Sequence, residues 1–455
     1  MITLLNRILF FLLMLLVVLS PLPLGSNREW SWSLCALIAG LLGLAWAVAN
    51  LGQPAKINTR LSPVIPVLFT LACAWVLVQI GLDSPEGWQH PLWGMTGEVL
   101  AMDLPGRISL SAEDSWTALM RLLSYAFVFF LALQYGKERG RAQLVFGWLT
   151  IAGLVYAIFG LVVYWSGYYP DWLFGGRVLA HDVRSTFINR NHFATWQGLT
   201  MLCAMAWFYQ RMAKPVVKPY AMPQDREARV EEFILRAWKP MTALLLMVTA
   251  LVLTHSRAGF LSALAGTVVL FMLLDKRVSS KSARARIVVV TALAVAGIAF
   301  YMTSEALLDR INRTDISTEE RLAVYANINR AIGDNPSLGF GYGTFADGFR
   351  LYDQNEGAVH YDRAHNTWLE NAFELGVPAA LALYLALAGL ALTCLQGVRR
   401  RHRDWVFPAT GVAASVLVGL HAIFDFSLQL PGVAILYACI MGVACAQSYS
   451  SVEHR

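Results

Sequence analysis

The chain has 455 residues, of which 57% are hydrophobic and 15% are charged, and its formal net charge is +6 at pH 7. Soluble domains carry about a quarter of charged residues, so this composition excludes an ordinary water-soluble domain and favours a protein embedded in lipid. The positive charge does not indicate nucleic-acid binding, because the basic residues form short clusters between apolar runs, where such clusters set the orientation of membrane spans.

About twelve apolar runs follow one another, each close to the length that crosses a ~30 Å hydrocarbon core as a helix. The first run follows Arg7 and has no small-x-small cleavage site before Ser26, so it is interpreted as a retained span and not as a signal peptide. We therefore predict an all-α polytopic membrane protein that forms one integral membrane domain over residues 1–455. The predicted spans are 8–24, 30–49, 61–82, 115–135, 142–164, 192–210, 240–255, 257–274, 287–303, 367–396, 405–424 and 432–447.

The distribution of lysine and arginine predicts the orientation of these spans. With the N-terminus inside, every lysine and the basic run at 399–403 fall on the inner side, as the positive-inside rule requires. Both termini are then cytoplasmic. The outer segments contain arginine and no lysine, and arginine is the better bidentate ligand for phosphate or carboxylate. A general bias against lysine outside the membrane would explain many of these positions equally well.

The longest outer segment is a large loop at about 304–366 between the ninth and tenth spans, and a loop of this length is usually functional. Apolar residues at helical spacing predict a short helix over Thr318–Ile332, lying on the membrane. The glycine cluster Gly339–Gly343 lacks the strand and helix of a dinucleotide-binding loop. It is interpreted as a tight turn that lets the neighbouring aromatic residues pack on the membrane domain.

Three predicted spans that run from outside to inside begin with a polar cluster. The sixth opens with the sequence RSTFINRNHFA at 184–194, and the eighth opens with Ser256 and Arg257 after a turn at His255. The tenth opens at 363–370, where Thr367 and Glu370 have the spacing of a capping box.

A helix N-terminus favours an anion, because it presents unpaired N–H groups and the positive end of the helix dipole. Arg190 and Arg257 would add formal positive charge at two of these helix starts. Together they could hold a diphosphate and stabilise it as a leaving group. The alternative is that both side chains extend to lipid headgroups.

His365 is the best candidate for a general base, since histidine exchanges protons near neutral pH and Asn366 and Glu370 are close enough in the chain to orient it. A single external histidine is also often structural. Four other histidines compete for the role: His181, His192, His255 and His360.

No metal site is evident in the sequence. Carboxylates are scattered, histidines lack a paired i, i+4 arrangement, and all six cysteines lie inside apolar runs without a CxxC pair. The cysteines are expected to be small core residues. We therefore expect chemistry that is independent of metal and requires no cofactor.

Several of these segments resemble one known family. They are the Ser256-Arg257 helix start, STEERLAVYANINRAIGDNPSLGFGYGTF at 317–345, AHNTWLENAFELGVPAAL at 364–381 and INRNHFA at 188–194. Their order and spacing resemble the O-antigen ligase and Wzy-type polymerase superfamily over a core region of about residues 180–395. The external segment 83–114, with Trp88, His90 and Trp93, has no counterpart in that pattern.

The resemblance implies transfer of a glycan from undecaprenyl diphosphate to an acceptor hydroxyl, on the periplasmic face of the bacterial inner membrane. The acceptor would be lipid A–core in a ligase, another lipid-linked glycan in an O-antigen or exopolysaccharide polymerase, or a protein hydroxyl in an O-linked oligosaccharyltransferase. The family's roles would fall on Arg190 and Arg257 for the diphosphate and on His365 as the base. Arg184, Arg321, Asn366 and Glu370 would support substrate binding.

Two other classes of protein compete with this interpretation. A lipid-linked glycan transporter or flippase has a similar number of spans, but transporters usually carry ionisable residues at mid-membrane and internal repeats, which this sequence lacks. An inactive scaffold would leave the external polar clusters unexplained. Within the enzyme class, ligase and polymerase cannot be separated by a short motif.

Overall fold

The computed structural model describes residues 2–51, 60–81, 84–170, 182–212, 226–275, 318–353 and 361–449. Within these residues the chain is helical, with short 3-10 turns and no strand. The helices are α1 (Ile2–Leu19), α2 (Glu29–Ala49), α3 (Val64–Ile80), α4 (Leu92–Leu100), α5 (Ala112–Tyr135), α6 (Arg139–Ser166), α7 (Arg190–Met212), α8 (Arg226–Val252), α9 (Arg257–Asp275), α10 (Thr318–Asp334), α11 (Phe345–Phe349), α12 (Thr367–Leu375), α13 (Val377–Arg400), α14 (Val406–His421) and α15 (Pro431–Gln447).

The helices agree with an all-α polytopic membrane protein. Every predicted span on described residues overlaps a helix, while the ninth span, 287–303, lies outside them. Among the described residues, five helices are long and apolar enough to cross a membrane, and five further apolar helices are shorter. The five long ones are Glu29–Ala49, Ala112–Tyr135, Arg139–Ser166, Arg257–Leu274 and Val377–Arg400.

The prediction of one continuous span over 367–396 is wrong. The chain breaks at Gly376 between α12 and α13, where φ is +74°. A Cβ atom there would collide with the carbonyl oxygen of Ser337, so glycine permits both the turn and the close approach of the two chain segments. The backbone N–H of Val377 donates to the carbonyl of Pro336 at 2.8 Å, which ties this break to the external loop.

Helix α7 lies in the centre of the bundle. Residues 192–206 are all buried, and α7 contacts α6, α8, α9, α14 and α15. Its buried face includes polar side chains such as Thr195, Gln197 and Thr200, which explains why α7 is less apolar than the helices around it. The six cysteines are free and buried, as their positions in the sequence predict.

The connecting segments gather at two opposite ends of the bundle. At one end, the segments around Pro21, 182–189, 253–256 and 421–430 contact one another, for example through Thr186 Oγ1 donating to the carbonyl of Pro21 at 2.7 Å. The other end is basic, where Arg139 pairs with Asp404 at 2.8 Å and Arg401 donates to the carbonyl of Tyr449 at 2.9 Å. The two ends therefore differ in chemistry, and the polar clusters of α7, α9 and α12 share the first end.

Helices α10, α11 and α12 pack around a small aromatic core. Phe340 stacks on Phe373 with ring centroids 4.4 Å apart, and Ile328 of α10 is buried beside them. Gly339, Gly341 and Gly343 all have positive φ, which confirms the predicted tight turn. This core holds α12, and with it the chain that precedes α12, in a fixed position.

Candidate active site

The first turns of α7 and α9 approach closely because of Gly259. A Cβ atom at this position would lie 2.5 Å from the Cβ of Ala194 in α7, so a larger residue would separate the two helix starts. Ser256 caps α9 by accepting the N–H of Gly259 at 3.1 Å. The positive ends of the two helices, with Arg190 and Arg257, are thereby brought to the same place.

Asp182 organises one half of the site, which we call the Asp182 cluster: Asp182, Arg184, Arg190 and His255. Its Oδ1 lies 2.9 Å from Nδ1 of His255, and its Oδ2 lies 3.1 Å from Nη1 of Arg190 and 3.5 Å from Nη2 of Arg184. The loop that carries Asp182 is anchored by a hydrogen bond from the N–H of Val183 to the carbonyl of Leu253 at 2.9 Å.

The charges of the Asp182 cluster do not cancel. Burial raises the pKa of Asp182, but the hydrogen bond from His255 and the charges of Arg190 and Arg184 outweigh it and hold the pKa below its ordinary value. One ionised carboxylate thus faces two guanidinium groups. The cluster keeps a net positive charge, to which the helix ends add, and it is suited to an anionic group.

Asp425 organises the other half, which we call the Asp425 cluster: Asp425, His365, His192 and His421. The Asp425 carboxylate is fully buried, with Oδ1 3.4 Å from Nδ1 of His365, whose side chain is 29% exposed. Phe426 lies edge-on to the His365 ring at 5.1 Å between centroids. This arrangement fixes the ring and leaves its Nε2 on the side away from the carboxylate.

His192 of α7 faces the second oxygen of the same carboxylate, with Nε2 3.8 Å from Asp425 Oδ2. Burial raises the pKa of Asp425, yet the imidazoles of His192, His365 and His421 outweigh it and hold the pKa well below its ordinary range. Asp425 is therefore ionised, and it pairs with imidazoles instead of with arginine or lysine.

The first turn of α7 joins the two clusters. Arg190 contacts Asp182, and His192, two residues further on, contacts Asp425. Two residues of an α-helix span about 3 Å along its axis, while their side chains point to different sides of the helix. The cationic cluster and the imidazole cluster therefore flank the first turn of α7 at the same end of the bundle.

Three residues of this site have a strained backbone. Ser185, His255 and His365 have φ values of +51°, +52° and +50°. Residues other than glycine rarely adopt this conformation, which costs about 1–3 kcal/mol and recurs at functional sites. For His365 the conformation is supported by the hydroxyl of Tyr325, which donates to its carbonyl at 3.3 Å.

The remaining predicted residues occupy different places. Asn366, and not Thr367, caps α12, since its side chain accepts the N–H of Leu369 at 3.1 Å; the expected capping box is therefore wrong. Glu370 is fully buried and binds Arg363 at 3.1 Å and the N–H of Ala364 at 2.9 Å. Both residues thereby support the chain at His365.

Arg257 begins α9 beside the Asp182 cluster. Arg321 lies in the first turn of α10, and the side chains of that turn are not among those described. The competing histidines His181 and His360 lie outside the described residues, as do residues 304–317 and 354–360 of the large loop. Within the described residues, no group of three or more His, Cys, Asp or Glu side chains has the arrangement of a metal site.

Sequence reasoning missed the two aspartates. Asp182 lies just before the polar cluster that opens the sixth predicted span, and Asp425 lies in the short connection between the last two spans. The signal that could have identified Asp425 is a carboxylate isolated between two apolar spans. Burying such a charge costs free energy unless it has partners. Its pairing with His365, 60 residues earlier, could not be read from spacing.

The fold and the site define a polytopic helical membrane protein with a cationic, histidine-bearing site at one end of its bundle. Residues 242–384 match the Wzy_C family model, which is described as O-antigen ligase. This match supports the O-antigen ligase and Wzy superfamily and agrees with the family resemblance recognised from the sequence. None of the curated proteins compared with the chain matches it.

The matched region covers less than half of the chain but includes much of the site. His255, Arg257, His365 and Glu370 fall inside it. The first turn of α7, Asp182 and Asp425 fall outside it. Those residues enter the site through the fold of this chain.

Proposed function

We propose that this protein is a membrane glycosyltransferase that moves a glycan from undecaprenyl diphosphate to an acceptor hydroxyl. The observation that carries the proposal is the juxtaposition of the Asp182 and Asp425 clusters at the start of α7. A cationic cluster next to a carboxylate-oriented imidazole is what transfer from a lipid diphosphate requires.

The Asp182 cluster would bind the diphosphate. Arg190, Arg184 and Arg257 lie at or near two helix N-termini, where fixed dipoles and guanidinium groups act together on an anion. The same charges stabilise the departing diphosphate in the transition state. Because arginine supplies this charge, we propose that the reaction requires no metal ion and no cofactor. Arg321 would support the glycan or the diphosphate from the large loop.

His365 would act as the base. Asp425 Oδ1 faces its Nδ1 at 3.4 Å, so Nε2 is the nitrogen that would take the proton from the acceptor hydroxyl, as in other carboxylate-oriented imidazoles. The hydroxyl then attacks the anomeric carbon from the side opposite the diphosphate, and the product is inverted. Asn366 and Glu370 are proposed to position His365, since the side chain of each accepts a backbone N–H close to His365 in the chain.

We propose that the site faces the periplasm and that the protein crosses the bacterial inner membrane about twelve times. The basic residues at the opposite end of the bundle, including Arg139 and Arg401, support a cytoplasmic location for that end and for both termini. Residues 180–395 would form the family's core region, and the large loop at 304–366 would cover the site.

The acceptor would be lipid A–core, a second lipid-linked glycan or a protein hydroxyl. The external segment that contains α4 contacts the glycine turn, where Leu110 donates its N–H to the carbonyl of Phe340 at 3.0 Å. This contact supports a role for the segment in acceptor choice.

The test is glycan transfer by the purified full-length protein in lipid nanodiscs, with undecaprenyl-diphosphate glycan and each acceptor in turn. We expect His365→Ala and Arg257→Ala to abolish transfer, while His402→Ala, an exposed histidine at the opposite end, leaves it unchanged. Normal transfer by both site variants would contradict the proposed site. Loss of wild-type activity on addition of a chelator would contradict the metal-free reaction.

A further inference from the structure

We propose that His255 is a general acid of this site, which gives a proton to the diphosphate as that group leaves the glycan. The proposal rests on the function proposed above and adds to it a second proton-transfer residue, on the donor side. Neither diphosphate binding nor proton removal from the acceptor is assigned to this histidine.

The hydrogen bond to Asp182 orients the His255 ring. Nδ1 lies 2.9 Å from Asp182 Oδ1, and the second oxygen of the same carboxylate lies 3.1 Å from Arg190. One carboxylate therefore holds an imidazole and a guanidinium group side by side. Since the two nitrogens of an imidazole are on different sides of the ring, Nε2 faces away from Asp182. The side chain is 26% exposed, so a substrate can reach it.

His255 and His365 are built in the same way. Each has φ near +50°, each lies within two residues of the start of a helix, and each directs Nδ1 to an aspartate. Histidine is, with asparagine and aspartate, one of the non-glycine residues that adopt this conformation most readily, so the turn accommodates a histidine at both positions. The repeated arrangement points to a shared kind of chemistry, which is proton transfer.

The groups around His255 suit a proton donor. Asp182 faces it, Arg184 and Arg190 flank that carboxylate, Tyr169 lies near Asp182 and Arg184, and Arg257 is two residues away in the chain. A diphosphate held by the arginines would therefore lie next to the His255 ring.

The proposed step balances. The bond between the anomeric carbon and the phosphate oxygen breaks while the bond to the acceptor oxygen forms, and the acceptor proton moves to His365. The electron pair of the broken bond stays on the phosphate oxygen, which takes the proton of His255. A terminal phosphate has a second pKa near 6, so its proton affinity is comparable with that of an imidazole. Each histidine then exchanges one proton with solvent and returns to its starting state.

The experiment compares kcat and donor KM between about pH 5 and pH 9 for the wild type, His255→Asn and His255→Ala in nanodiscs. Asparagine can still donate to Asp182 but cannot supply a proton. His402→Asn, at the exposed far end, is the matched control. We expect His255→Asn to lower kcat about a hundredfold, to leave the donor KM within about threefold and to lose the alkaline limb of the pH profile.

Rescue by asparagine would overturn the proposal, because it would mean that His255 only holds Asp182. Rescue would be seen as a kcat of His255→Asn within about twofold of wild type, with both limbs of its pH profile retained. A large rise in donor KM with unchanged kcat would also overturn it, since His255 would then act only in binding. Absence of transfer by the wild type itself, with a lipid-diphosphate donor, would instead refute the proposed function, and this inference with it.

Discussion

The two aspartate clusters use the same parts but differ in the charge of their partners. Asp182 is 11% exposed and faces two arginines and His255, whereas Asp425 is fully buried and faces imidazoles and the backbone N–H of Phe426. Arginine is always charged, while an imidazole gains and loses its charge near neutral pH. The comparison supports the proposed roles, in which permanent charge would hold the donor on one side and an imidazole would accept the acceptor proton on the other.

The largest effect is expected when Asp425 loses its charge. Asp425→Asn keeps the shape but cannot fix the His365 ring with Nε2 free to take a proton, so we expect kcat to fall about a thousandfold or more. Glycan transfer in nanodiscs measures this. The control is Asp404→Asn at the basic end, which pairs with Arg139 and should transfer normally. Activity of Asp425→Asn within tenfold of wild type would remove Asp425 from the mechanism.

A smaller effect is expected when the cationic cluster keeps its charge but changes its geometry. Arg190→Lys retains a positive charge and loses the planar fork that binds Asp182 and an anion together, so kcat/KM for the donor should fall about ten- to a hundredfold. The same change at Arg139 serves as the matched control, since that residue lies at the other end. Equal activity of Arg190→Lys and wild type would mean that only net charge matters there.

Separating the two helix starts should weaken both binding and stability. Gly259→Ala places a methyl group against Ala194, so we expect a loss of about 1–3 kcal/mol in the free energy of unfolding and a several-fold fall in transfer. Gly140→Ala, in open space on α6, should be neutral or slightly stabilising. Thermal melting of both variants in detergent makes the comparison; an unaffected Gly259→Ala would contradict the close approach.

The smallest effect concerns stability at low pH. The pKa values of Asp182 and Asp425 are both lower in the folded protein than the carboxyl value of about 4 in an unfolded chain. The stability that they contribute is therefore fully present above about pH 4 and is lost as the pH falls through the folded-state values. Between pH 7 and pH 3, the melting temperature of Asp182→Asn should fall less than that of wild type. Parallel curves for the two proteins would contradict this linkage.

The sequence predicted the helical membrane fold and part of each cluster, because apolar runs and polar helix starts are local patterns. Arg190 and His365 were identified in this way, and Arg184 was named through the family resemblance. The break at Gly376 was not, since it depends on contact with Ser337 across the external loop. Asp182 and Asp425 were missed for a related reason: a carboxylate becomes part of a site through partners that are distant in sequence, such as His255 and His365.

Donor binding tests the division between the two clusters most directly. The measurement is the affinity of undecaprenyl-diphosphate glycan for the wild type, His365→Ala and Arg257→Ala, by equilibrium binding in nanodiscs, with transfer recorded on the same samples. We predict that His365→Ala binds the donor like wild type without transferring glycan, and that Arg257→Ala loses binding. Wild-type affinity in Arg257→Ala, or equal loss of affinity in both variants, would contradict the assignment of diphosphate binding to one cluster and proton removal to the other.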